Sequence, residues 1–81
     1  MSIVYENNRA IFRDQVGSEE AAGLLQWLAR RPEAAIDLLD CVEVHHANLQ
    51  ALLIMRTQIA EWPENVALAA TLKSVLMGEE K

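Results

Sequence analysis

The stretch Ala34-Ala35-Ile36-Asp37-Leu38-Leu39-Asp40-Cys41-Val42-Glu43-Val44-His45-His46-Ala47-Asn48-Leu49 decides how this chain folds. It begins just after Pro32, a helix breaker. Residues 34–39 form a short apolar run that reads as a strand. Alanine is a weak strand former, and length alone fits a helix as well. From Leu49 the spacing is helical, with Leu49, Leu52, Leu53, Ile59 and Ala60 on one broad apolar face. Trp62-Pro63 closes that segment, so a helix is expected over 49–61.

Upstream, Gly17-Ser18-Glu19-Glu20 announces another helix. Ser18 suits the cap, and the two glutamates suit the positive end of the helix dipole. Ala21, Leu24, Leu25 and Leu28 follow as an apolar stripe, and Arg30-Arg31-Pro32 ends the helix at about residue 31. Before it, Ile3, Tyr5, Ala10 and Phe12 alternate with polar neighbours around Asn7-Asn8, a natural two-residue turn. Residues 2–6 and 9–15 therefore read as an antiparallel hairpin. The helix over 18–31 then acts as a right-handed crossover, setting the strand at 34–39 parallel to a hairpin strand. Downstream, Leu68, Leu72, Val75 and Leu76 predict a last helix from about Glu64 to Met77, with Gly78 to Lys81 as a tail.

The expected fold is α/β, a small two-layer domain of order β-β-α-β-α-α. A three-stranded mixed sheet would present one face to three helices, and residues 1–81 form a single domain. The other sheet face would stay open, which is a physical argument for self-association.

The 81 residues are 52% hydrophobic but only 5% aromatic, so Leu, Ile, Val, Met and Ala must build the core. A chain this short has little to spare for a large catalytic cleft. Seven basic against twelve acidic residues give a net charge of −5. That balance argues against nucleic-acid binding, which rests on neutralising phosphates. No apolar run approaches a membrane span, and the start carries no basic and apolar signal region. A lone Cys41 fits a reducing compartment. A cytoplasmic protein that binds neither nucleic acid nor membrane is expected.

Residues 36–53 also resemble the signature of STAS domains, named for sulphate transporters and anti-sigma-factor antagonists. In that family a strand ends in Asp-Leu, and Asp-Ser-(Ser/Ala)-Gly-Leu then opens an amphipathic helix. Here Asp37-Leu38 stands at the strand end and His45-His46-Ala47-Asn48-Leu49 falls in the second place. The preceding hairpin and helix are similar too, so the likeness spans about residues 2–62. It implies a regulatory, signalling domain without enzymatic activity or cofactor, whose partner is another protein or a second copy. The binding residues it implies are His45, His46, Ala47, Asn48 and Leu49. Ala47 occupies the position of the phosphorylatable serine, so kinase switching at that serine is not available. Asn48 replaces the glycine, since asparagine accepts a left-handed backbone and caps a helix beginning at Leu49. The family continues with another strand, helix and strand. With only Trp62-Pro63 between the last two helices there is no room for that strand, so the chain reads as shortened and divergent.

Other chemistry is thinner. Cys41, His45 and His46, with Asp40 or Glu43, are the right residue types for a metal or small ligand, without paired ligand spacing. This makes a ligand-binding module the alternative function. A Cys41–His45 nucleophile pair has no supporting motif. Adjacent positions send the two imidazoles in different directions. Trp27 lies on the flank of its helix, where it covers a core edge or anchors a partner, and Trp62 staples the two helices beside it.

Overall fold

The computed structural model describes residues 2–76. Strands β1 (Ile3–Glu6) and β2 (Arg9–Val16) form the hairpin, turning at Asn7-Asn8. A 3-10 turn over Ser18–Glu20 leads into helix α1 (Ala21–Ala29). Strand β3 (Ala35–Val44), helix α2 (His46–Met55), strand β4 (Gln58–Glu61) and helix α3 (Val66–Leu76) follow. The sheet order is β1-β2-β3-β4, with β1 antiparallel to β2, and β2, β3 and β4 mutually parallel. The hairpin, the crossover helix and the parallel third strand agree with the sequence reading.

Three expectations are corrected. The sheet has four strands, because the segment read as one helix over 49–61 is a helix, a turn and a strand. Arg56 takes the left-handed conformation with φ 52° at the end of α2. Its N–H and that of Thr57 donate to the Leu53 and Leu52 carbonyls, closing the helix as a glycine would. The chain then leaves along β3, where Ile36 pairs with Ile59. Trp62 accordingly follows a strand and stacks under the Lys73 ammonium, 5.6 Å from its ring centre, rather than joining two helices.

Second, β3 does not end at Asp37-Leu38 but runs on to Val44. Two bulges let it do so: Ile11 pairs with Asp37 but Arg13 with Asp40, and Asp14 pairs with Cys41 but Gln15 with Glu43. Asp14 sits at φ 55° beside the second bulge. Third, Ser18 caps nothing. Gly17 precedes the 3-10 turn and α1 starts without a side-chain cap. At the other end of the fold, Asn65 Oδ1 accepts from the Leu68 N–H and starts α3. Met77 and the tail from Gly78 lie outside the described residues.

Alternation along the strands sends Ile3, Ala10, Phe12, Val16, Ile36 and Leu38 into one apolar cluster. There they meet Leu24 and Leu28 of α1, Leu49 and Leu52 of α2 and Leu72 of α3. The opposite sheet face is open. It carries half-exposed Val4, Leu39 and Val42 beside an Arg9–Asp37 ion pair of 3.5 Å. No helix of the described residues is long and apolar enough to cross a membrane.

Candidate functional site

Parallel strands joined by helices bring their carboxyl ends, and the amino ends of the helices that follow, to one rim of the sheet. On that rim β3 ends at Val44, and α2 begins at His46, one turn earlier than its apolar spacing suggests. His45 is therefore the capping residue. Its extended backbone (φ −63°, ψ 142°) turns the imidazole back so that Nδ1 accepts the Ala47 N–H at 3.1 Å. The His45 carbonyl accepts the Asn48 N–H at 2.9 Å, and the His45 N–H donates to the Val16 carbonyl at 2.8 Å.

The expectation that the two imidazoles diverge is corrected. They stack, with ring centres 4.5 Å apart and planes 25° from parallel, and both residues are exposed. Holding the first ring back over the helix start brings it alongside the second, which leaves from the first helical position.

Asn48 does not take the role expected of it. It lies inside the first turn of α2, with helical backbone, and is fully buried. Its Nδ2 donates to the Gly17 carbonyl at 2.8 Å and reaches the Val16 carbonyl at 3.4 Å. It thus ties the start of α2 to the end of β2. Its Oδ1 finds no partner among the described residues. A buried amide with one end committed and the other unpaired holds its place only because the surrounding packing fixes it. Leu49, the next residue, is buried in the core. Of the five turn residues, His45 and His46 face solvent, Ala47 is half-buried, and Asn48 and Leu49 point inward.

A shallow depression of about 200 Å3 opens beside the turn, lined by Gln15, Val16, Gly17, Glu43 and His45. Nothing in the sequence marked Gln15 or Gly17 for this rim. Only the pairing of β2 with β3 brings them beside His45.

Cys41 takes no part in this rim. Its side chain is buried in the core, with Sγ 3.5 Å from both the Asp14 and the Glu43 carbonyl oxygens. Burial pushes its thiol pKa up; the hydrogen bond to the Glu43 backbone opposes that and the Asp14 charge adds to it. The thiol is thus enclosed in the core, whereas both imidazoles are exposed where β3 gives way to α2. Among the described residues no group of three or more histidines, cysteines and carboxylates is placed to hold a metal ion.

Trp27 sits on the inner face over the hairpin. Its ring centre is 5.0 Å from that of Tyr5, and the Arg31 guanidinium lies 4.9 Å above it. The Arg31 Nε–H also donates to the Asn7 carbonyl at 3.2 Å, so Tyr5, Trp27 and Arg31 close one end of the core. No protein-family model matches this chain, and no curated protein matches it at a significant level.

Proposed function

We propose that this chain is a non-enzymatic, regulatory protein-interaction domain of STAS-like type, related in mode of action to anti-sigma-factor antagonists. It docks a partner protein through the His45–Leu49 turn. The observation that carries the reading is the construction of that turn. Two exposed, stacked imidazoles stand on a helix start that Asn48 ties to β2, a rigid presentation of recognition groups.

Two further features support it. After α2 come β4 and α3, two of the three further elements of the family pattern, and β4 occupies a place the sequence reading left no room for. The helix that opens at the turn also exposes Leu53 and Ile54. With Ala47 at the position of the usual serine, docking is governed by availability of the partner and not by phosphorylation there. The acidic balance and the buried lone thiol support a cytoplasmic setting without nucleic acid.

Affinity capture with the purified chain, compared with His46→Glu, tests the reading. A partner retained by the parent and lost by the variant, with unchanged circular dichroism, is the expected result. Retention of the same partners by both chains would remove the turn as the docking site.

A further inference from the structure

Helix α2 hands over to strand β4 through only two residues, Arg56 and Thr57. Both carry a cost where they stand. Arg56 adopts φ 52° and ψ 47°, a left-handed conformation that a side chain with a Cβ enters at a penalty and that helix ends usually give to glycine. The Thr57 hydroxyl oxygen is buried without a hydrogen-bond partner among the described residues.

The sequence across this pair offers another course. No glycine or proline stands between Leu49 and Trp62, and Ile59 and Ala60 continue the helical spacing of Leu52 and Leu53. Were α2 to run on through the pair, the Arg56 and Thr57 N–H groups would donate to the Leu52 and Leu53 carbonyls four residues back. The Thr57 hydroxyl would reach the same Leu53 carbonyl, a bond that threonine commonly makes in helices. Backbone strain and unpaired hydroxyl would both disappear. What would change is direction, since β4 and α3 would run away from β3 instead of folding back along it.

Beyond the pair lies a unit that keeps its own contacts wherever it goes. Asn65 Oδ1 accepts from the Leu68 N–H at 2.9 Å, and the Lys73 ammonium lies 5.6 Å from the centre of the Trp62 ring. Its attachments to the rest of the fold are the ladder of β4 with β3, the Glu64 N–H on the Leu39 carbonyl at 3.3 Å, and Leu72 in the core. No residue of β4 is itself buried.

We propose that two copies of this chain exchange the β4–α3 unit, each laying its own Gln58–Leu76 segment on β3 and in the core of the other. Exchange recreates every one of these attachments between chains instead of within one. Monomer and dimer then differ chiefly at the hinge and in the entropy of association. A short hinge under strain favours such exchange. A unit on a short tether docks on its own chain as though present at an effective concentration on the order of millimolar or above. Each left-handed hinge lowers that advantage by about tenfold. The exchanged dimer therefore competes with the monomer at roughly millimolar chain. The His45–Leu49 turn lies in the part that stays in place, so the inference does not depend on the docking reading.

The test is to unfold the full chain in urea, refold it at about 1 mM and at about 10 μM, and read its mass by light scattering on a sizing column. The parent is expected to yield dimer at the higher concentration. Arg56→Gly removes the left-handed penalty from both hinges and is expected to raise the dimer dissociation constant on the order of a hundredfold. Arg56→Val, whose branched side chain resists the left-handed conformation but fits a helix, is expected to lower it. Refolding a mixture of isotope-labelled and unlabelled parent then locates the contact. In the dimer, a nuclear Overhauser effect is expected between Ile36 of one chain and Ile59 of the other, residues that pair across β3 and β4. A parent that is monomeric at both concentrations overturns the inference. So does a dimer in which Ile36 and Ile59 meet only within one chain, or one that Arg56→Gly leaves undiminished.

Discussion

The Asn48 side-chain amide donates to the Gly17 carbonyl at 2.8 Å, across 31 positions of sequence, and couples the start of α2 to the loop leaving β2. This bond fixes where the exposed histidine pair stands relative to the sheet.

Replacing Asn48 by Ala removes the bond and leaves the Gly17 carbonyl without that partner. A loss of about 2 kcal/mol is expected, which for a domain of this size is about 8–16 °C in melting temperature. Asn48→Asp is expected to cost more at neutral pH, because a carboxylate would face two carbonyl oxygens in a buried site. Part of that extra loss should return on acidification, when a protonated carboxyl donates again. Thermal melts at two pH values check both points.

His45→Ala removes the acceptor for the Ala47 N–H, and a loss of about 0.5–1 kcal/mol is expected in urea denaturation. His45→Asp keeps an acceptor at the cap and adds a negative charge at the helix start. It should therefore hold or raise stability, by at most about 1 kcal/mol. An aspartate variant as weak as the alanine one would show that the imidazole contributes by stacking on His46 rather than by capping.

Burial raises the Cys41 thiol pKa above its ordinary value of 9.0, and burial with the Glu20 charge raises the Tyr5 phenol above 10.0. A pKa higher in the folded chain means that the unfolded chain gives up its proton first. The stabilisation from each group is full below the ordinary value and lost as pH rises through the folded value. Stability should fall as pH climbs past about 9. Cys41→Ala, costing about 1 kcal/mol of lost packing, should delay that fall toward the tyrosine range. Urea midpoints from pH 7 to 11 measure this, and the parent thiol should resist a thiol reagent until the chain unfolds.

Gly23→Ala should stabilise the isolated chain by about 0.5–1 kcal/mol, since alanine is the better helix former and its methyl meets open space. Chemical denaturation reads this directly.

The sequence by itself determined the elements whose signals are local. The Asn7-Asn8 turn between alternating strands, the Leu24–Leu28 stripe before Pro32 and the Leu68–Leu76 spacing each reside within a dozen residues. Hydrophobic periodicity and turn chemistry are properties of such short segments. Parallel pairing of β3 with the hairpin followed from the single crossover helix.

Only the tertiary structure decided the rest. Ile59 and Ala60 continue the helical spacing of Leu52 and Leu53, and no glycine or proline stands between them. What diverts the chain is Arg56 in a left-handed conformation together with backbone pairing of β4 to β3. Neither is encoded by a side-chain pattern within the segment. The bulges that carry β3 past Leu38 likewise arise from its ladder with β2. The first of them, in turn, decides that Cys41 faces the core. Asn48 reads locally as a turn residue, but its amide is spent on a strand end far away in sequence. Buried hydrogen bonds and strand register depend on partners distant along the chain, and those partners are defined only once the sheet has formed.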